Sequence, residues 1–423
     1  MVNVHVVNRY IHFIERSVAR SLREFSFIHV ADVHLGYEQY NLSERREDFD
    51  RAFTEVVERA IELKPNFMII SGDLFHHARP LNITLERAIR NFRRLRDANI
   101  PVLAVDGSHD SAPNVITGTI LNPLDSAGLI YYLPRHEDAC WESEYCYVYG
   151  VPNFRTRDRT ERRLPAFYET KKPAPRKSSF NIFVFHMALD IPEITGMYPK
   201  MAAEAPPNLI PDGFNYYAGG HIHVPIHVDF RDGVLAYSGS TETVSYEDAY
   251  AEKGFYYVEV NRSGDIEISH IKLETPRKFK ILDRDFSGLS PQEITDLAIK
   301  LIKEADEEGV VIVPVLRGTL PVESTRREID LAKIRNAAEK ALTVHPIMLL
   351  REKEFPEEVI RNIFESEMRD LRAKSYEYFL KFFLQRHKRE EAEKRARIAL
   401  DLIQFLVRDE EDKVKEILEG LLE

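Results

Sequence analysis

Five short stretches carry residue types that bind cations and move protons. They are Asp32-Val33-His34, Gly72-Asp73-Leu74-Phe75-His76, Gly107-Ser108-His109-Asp110, a separate His186, and Gly219-Gly220-His221-Ile222-His223. Carboxylate oxygens and imidazole nitrogens are the donors that hard and borderline divalent metals accept. An aspartate has two oxygens and can bridge two ions, a role open to Asp73. On irregular backbone, residues at i and i+2 can aim at one point, as Asp32 with His34 and His221 with His223 would. Two cations about 3.5–4 Å apart suit an in-line displacement at phosphorus, because together they steady the attacking and the leaving oxygen. A single histidine is more often a core or surface residue than a ligand. Five such pieces in this order point to a binuclear phosphoesterase centre.

The elements around these stretches must bring them together. "FSFIHVAD" (25–32), "FMIISGD" (67–73) and "IPVLAVDG" (100–107) read as buried strands. Between them, Phe49, Phe53, Val56, Ala60 and Leu63 recur at helical spacing, as do Leu85, Ala88, Ile89, Phe92 and Leu95. Ser43 is a candidate N-cap, Glu44 favours the first turn, and Pro65 ends the run. The alternation predicts an α/β unit with a parallel sheet, whose ligands gather outside the carboxyl ends of the strands. After residue 140, "YCYVYGV", "FNIFVFHM", "YYAGG", "VLAYSG", "GFYYVEV" and "IEISHIKLE" predict a second sheet packed on the first. From 276 the pattern is β-α-β-α-β, including a helix over "LAKIRNAAEKAL". From Phe355 onward everything reads as helix. Ile360, Ile363, Phe364 and Met368 form one stripe there, and Tyr376, Phe379, Leu380 and Phe383 a second. Ile398, Leu402, Phe405 and Leu406 follow, then Val414, Ile417, Leu418 and Leu421, with a charged linker at 385–397 between the second and third stripes.

Bulk properties narrow the class. The 423 residues are 44% hydrophobic and 30% charged, enough for two or three folded domains. A net charge of −11 argues against a uniformly basic nucleic-acid coat but leaves room for a local patch. One such patch is 154–177, with nine Lys/Arg against three Asp/Glu, read as a phosphate-contacting loop. The Arg-rich stretch Arg87, Arg90, Arg93, Arg94 and Arg96 is another; its apolar side (Ile89, Phe92) serves either the core or a homodimer. Two cysteines, Cys140 and Cys146, predict reduced thiols and a cytoplasmic location. No run approaches the ~18 apolar residues of a membrane span, and residues 1–24 lack the pattern of a signal peptide.

With these residues in hand, a resemblance can be stated. "HVADVHLGYEQYN", "ISGDLFHHARP" and "YSGSTETVSYEDAYAEKGFYYVEV" resemble the SbcD/Mre-type double-strand-break repair nucleases of the calcineurin-like metallophosphoesterase superfamily. The resemblance implies a two-sheet metallophosphoesterase sandwich flanked by helices, with a small β-α-β-α-β capping domain and a C-terminal helical tail. The boundaries expected are 1–24 for an N-terminal extension, 25–275 for the nuclease domain, 276–353 for a capping and DNA-binding domain and 354–423 for a helical partner-binding region. It further implies one metal held by Asp32, His34, Asp73 and His223, and a second held by Asp73, Ser108, His186 and His221. His109 would stabilise or protonate the phosphodiester, with His76 in support. The implied cofactors are two Mn²⁺ ions, or Mg²⁺. The implied activity is a 3′–5′ exonuclease on duplex DNA and an endonuclease on single strands. DNA, a second copy of the chain and an SMC-like coiled-coil ABC ATPase gripped by the C-terminal helices are the implied partners, with no membrane. The family carries Asn where this chain has Ser108, whose shorter hydroxyl predicts weaker binding of the second ion. A phosphoesterase acting on nucleotides or phosphoproteins, and a catalytically weakened DNA tether, are the alternatives.

Overall fold

Continuous apolar runs become buried strands, and stripes at 3.6-residue spacing become the helices that cover them. The computed structural model describes residues 22–111, 118–196, 203–321, 324–352, 368–407 and 411–419. It divides into a unit ending at Lys278 and a unit beginning at Phe279. In chain order the first unit runs β1 (Phe25–Val30), α1 (Ser43–Leu63), β2 (Phe67–Ser71), α2 (Asn82–Asp97), β3 (Val102–Val105), α3 (Leu121–Ser126), β4 (Tyr131–Tyr132), β5 (Cys140–Glu142) and β6 (Cys146–Gly150). It continues with α4 (Arg157–Thr170), β7 (Phe180–His186), α5 (Pro192–Thr195), β8 (Tyr216–Gly220), β9 (Ile226–Phe230), β10 (Gly233–Tyr237), β11 (Gly254–Val260) and β12 (Ile266–Lys272).

Two six-stranded sheets result, in the orders β12-β11-β1-β2-β3-β4 and β5-β6-β7-β8-β10-β9. β1 to β4 are parallel, as are β6, β7, β8 and β10, while β11, β12, β5 and β9 each pair antiparallel with the strand on their inner side. Phe27, Phe67, Ile69, Leu103 and Val105 of the first sheet pack on Val148, Phe180, Ile182 and Val184 of the second. Phe53, Val56, Ala60, Ala88, Phe92 and Leu95 cover the outer face of the first sheet. Leu164 joins Tyr149, Phe183 and Phe185 on the outer face of the second. The two-sheet sandwich flanked by helices is therefore present as expected, and Phe92 is spent on the core.

Several local expectations are corrected. The strands end at Val30, Ser71 and Val105, two residues short of the predicted ends; after the first two, Asp32 and Asp73 turn out of the ladder with φ of 51° and 50°. Ser43 is not a cap: the helix begins at Ser43 itself, whose hydroxyl donates to Glu44. The basic stretch is no loop, since Arg157–Thr170 is helical with Pro165 inside it. Burial of Thr160 and Leu164 holds that helix although proline removes one backbone donor. Within the stretch, Arg155, Arg157, Arg162, Lys171 and Arg176 are each engaged by protein acceptors.

The second unit contains β13 (Phe279–Asp285), α6 (Pro291–Ala305), β14 (Val311–Thr319), α7 (Leu331–Arg335), β15 (Thr343–Val344) and β16 (Ile347–Arg351). β14 pairs in parallel with β13, β15 and β16. A capping box between Ser290 and Glu293 starts α6. The helix predicted over 331–342 stops at Arg335, because the N–H groups of Glu339, Lys340 and Ala341 donate to the Asp306 carboxylate and not to helical carbonyls. Beyond it lie α8 (Met368–Leu384), α9 (Arg389–Val407) and α10 (Glu411–Glu419), with α9 packed against both neighbours. The charged residues expected as a linker instead open α9, where the i,i+4 pairs Arg389–Glu393 and Glu391–Arg395 support the helix. Residues 1–21 of the N-terminal extension, the stripe Ile360, Ile363 and Phe364, and Leu421 fall outside the described residues, as do the side chains of Met368 and Leu406. Among the described residues no helix is long and apolar enough to cross a membrane.

The C-terminal edge of the first unit hangs on one carboxylate. Buried Glu55 of α1 accepts from the Glu274 and Thr275 N–H groups and from the Thr275 hydroxyl. Burial pushes its acidity constant up, but these hydrogen bonds prevail and hold it below the ordinary glutamate value. A depressed value in the folded state means stability that is present above the unfolded glutamate value and lost as pH falls through the folded one. Glu55→Ala should cost roughly 1–3 kcal/mol at neutral pH. Urea unfolding at a series of pH values should show that deficit shrinking steadily below the ordinary glutamate range.

Candidate metal centre

The carboxyl ends of β1, β2, β3, β7 and β8 converge, so the chain's two sheets deliver their polar ends to one place. Asp32 and His34 follow β1, Asp73 and His76 follow β2, Ser108 and His109 follow β3, His186 ends β7, and His221 and His223 follow β8. Asp32, His34, Asp73 and His221 all sit in left-handed backbone, with φ between 50° and 91°. Such positions cost of order 1–3 kcal/mol each and persist only where the surroundings over-determine them.

The distances define a tight cluster. Asp73 Oδ2 lies 3.2 Å from His186 Nε2 and 3.9 Å from His34 Nε2. Asp32 Oδ1 lies 3.9 Å from His186 Nε2 and 3.7 Å from His223 Nε2. Ligand atoms of Asp32, His34 and His223 fall within 4.8 Å of one another, as do those of Asp32, Asp73 and His186, and those of His34, His76 and His109. Ser108 donates its hydroxyl to Asp73 Oδ2 at 3.3 Å, and the His109 N–H donates to Asp73 Oδ1 at 2.8 Å. The His221 ring faces His186, with centroids 5.4 Å apart. His76 stacks face to face on Tyr37 at 3.7 Å, and its carbonyl lies 3.0 Å from His109 Nδ1. The structure thus gathers all nine residues singled out in the sequence, with His109 exposed and Asp32, His34, Asp73 and His186 buried.

Three supporting carboxylates escaped the sequence reading. Asp110 accepts from the N–H groups of Gly107, Leu74 and Phe75, tying the loops after β2 and β3 together. Asp248 sits 2.8 Å from His223 Nδ1 and is itself paired with buried Lys253 at 3.0 Å. Glu204 lies 3.9 Å from His221 Nε2. Asp110 closes one of the five stretches and Asp248 lies within the quoted 237–260 segment, but neither type nor spacing marked them as supports, and Glu204 lies outside every quoted stretch.

Electrostatics separate the roles. Burial holds His34 well below its ordinary value, and His76 and His221 at about 3, so these rings are neutral, the form that binds cations. Burial also pulls on His186, but the Asp73 and Asp32 carboxylates outweigh it and lift the ring to about 10. Asp73 is raised by burial yet held well below its usual range by the imidazoles of His186, His34 and His109. The Nε2 atom of His34 is buried with no hydrogen-bond partner, and that of His186 is buried 3.2 Å from Asp73 Oδ2. Buried imidazole nitrogens beside ionised carboxylates are what divalent cations would satisfy, so the donor set fits a metal centre.

Glycines let the backbone approach. A Cβ on Gly107 would stand 2.1 Å from Asp73 Oδ1, and one on Gly72 2.4 Å from His186 Nδ1.

Comparison with known proteins agrees with this geometry. The pattern of the family described as calcineurin-like phosphoesterase matches residues 25–225, and the sandwich with its convergent Asp and His residues defines a metal-dependent phosphoesterase of that class. The DNA double-strand break repair protein Mre11 of Archaeoglobus fulgidus is 31% identical over 360 residues, covering 79% of this chain and 76% of that protein. The protein of the same name from Methanocaldococcus jannaschii is 31% identical over 310 residues, covering 70% of this chain and 78% of its own. The chain belongs to the Mre11 family.

Gly107→Ala should displace the Asp73 carboxylate and cut phosphodiester turnover by at least about 100-fold, since misplacement by an ångström costs that much. Turnover and thermal unfolding measured side by side should show the loss in rate exceeding any loss in stability.

Proposed function

We propose that this chain is the nuclease subunit of a DNA double-strand-break repair complex, working as a 3′–5′ exonuclease on duplex DNA and an endonuclease on single strands. The observation that carries the reading is the convergence of five sequence stretches on Asp73, in a chain whose relatives named for double-strand-break repair match across most of its length. Asp32, His34, Asp73 and His223 would hold one cation. Asp73, Ser108, His186 and His221 would hold the other. Manganese suits this mixed oxygen and nitrogen set, with magnesium as the substitute. Such ions neutralise charge on the phosphodiester and on the attacking and leaving oxygens.

The chain's own residues do the rest. Exposed His109, braced at the His76 carbonyl, reaches the substrate side and donates a hydrogen bond or proton to the phosphodiester. Tyr37 fixes His76 by stacking. Asp248 orients His223 through Nδ1, so that Nε2 would be the atom available to a cation. Residues 276–353 form the capping and DNA-binding domain in this reading. Arg159, Arg163, Lys172 and Lys177, all exposed, are candidates for phosphate contact on the basic stretch. Leu81 and Ile83, exposed at the start of α2, offer apolar surface to a second copy of the chain. The helices of 354–423 would grip the coiled coil of an SMC-like ABC ATPase.

The test is incubation with Mn²⁺ and three labelled substrates: a 3′-ended duplex, single-stranded DNA and a small phosphodiester. Shortened DNA products that vanish with chelator and return with manganese are expected. Asp73→Asn should lower the rate by on the order of 10³-fold. Turnover of the small diester alone would favour a nucleotide or phosphoprotein phosphoesterase. DNA binding without cleavage would favour a tether, the reading that Ser108 invites.

Removal of residues 354–423 should abolish co-purification with the ATPase while small-diester turnover is kept. An undiminished complex would exclude the tail as the grip.

A further inference from the structure

Glu204 lies outside all five stretches that announce the metal centre. Its backbone is pinned beside the end of β7, where the N–H groups of Glu204 and Ala205 both donate to the Ala188 carbonyl at 2.9 and 3.2 Å. A bridge between Leu189 and Ala205 holds the same register. This places the carboxylate against the cluster, with Oε2 3.9 Å from His221 Nε2. Oε2 is buried and has no hydrogen-bond partner.

Donors bound to one divalent ion at roughly 2.1 Å stand no more than roughly 4.2 Å apart, so Glu204 and His221 are close enough to share one. The neighbouring His186 Nε2 is buried as well, facing the Asp73 carboxylate at 3.2 Å. Ser108 contributes little at this point, because its hydroxyl is directed at Asp73 Oδ2. We propose that Glu204 is a further ligand of the cation held at His186 and His221, supplying an anionic oxygen where Ser108 offers only a neutral hydroxyl. The proposal rests on the metal-centre reading above. It changes the expectation drawn from Ser108, since the second ion then binds firmly despite the short side chain.

The test is a manganese titration of the full chain by calorimetry and electron paramagnetic resonance, without substrate. Wild type, Glu204→Gln, Ser108→Asn and the double variant are compared, with melting of the metal-free proteins as a check on folding. Wild type should take up two ions. Glu204→Gln should keep one ion at its original affinity and weaken the other at least tenfold, and Ser108→Asn in that background should recover part of the loss. If Glu204→Gln fails to fold, Glu204→Asp, which keeps the charge but not the reach, should show the same selective weakening. Two ions at unchanged affinity in the Glu204 variants would overturn the assignment and leave the metal centre intact. Equal loss of both ions would also overturn it. No manganese bound by the wild type would overturn both the assignment and the metal-centre reading.

Discussion

The constraint on which the molecule turns is the burial of two aspartates, Asp32 and Asp73, within one cluster of imidazoles. An unpaired buried charge costs several kcal/mol even after relaxation. Here the cost is met locally: backbone N–H groups of His221 and His109 reach Asp32 and Asp73, and His186 faces both carboxylates. Left-handed backbone at Asp32, His34, Asp73 and His221 adds strain. A site that concentrates charge and strain in this way is poised to take up cations, because cations relieve the repulsion that folding alone leaves.

What keeps such a site from collapsing is the rigidity of the layer beneath it. Interdigitated aromatic and branched side chains lock the sheets, with Phe27 stacked on Phe67 at 5.2 Å and set edge-on to Tyr216. His29, buried between the sheets and held at about 3 by desolvation, stays neutral and hydrogen-bonds to Tyr216 and the Gly219 carbonyl. It is a histidine of the core and takes no part in the centre one turn of chain away. A second layer of support comes from the loop after β10. Fully buried Arg45 bonds to Asp48, Glu242 and the Thr243 carbonyl, and Gln39 donates to the Val244 carbonyl. That loop carries Asp248, and through it the orientation of His223. Breaking a buried ionic cluster of this kind typically costs 3–5 kcal/mol, so α1 and the loop behave as one piece.

The division of labour follows from exposure. Asp32, His34, Asp73 and His186 are buried, whereas His109 is exposed. Firmly placed donors behind the exposed imidazole of His109 suit the electrostatic stabilisation of a phosphodiester, where positioning matters more than nucleophilic side chains.

Much of this was legible in the chain itself. Residue types at the five stretches, their order, and the alternation of apolar runs with helical stripes determine the class of site and the α/β sandwich, because metal chemistry restricts donors and sheet burial restricts pattern. The left-handed turns were not legible: apolar runs give no warning that Asp32 and Asp73 leave their strands, or that Asp306 captures the chain after α7. Nor was Glu204, which reads as one acidic residue among many. Only the tertiary structure brings Asp32 to the His221 backbone across 189 residues of sequence, or sets Asp248 under His223. Local periodicity records which face of an element is buried, whereas hydrogen-bond partners and unpaired oxygens depend on where distant loops come to rest.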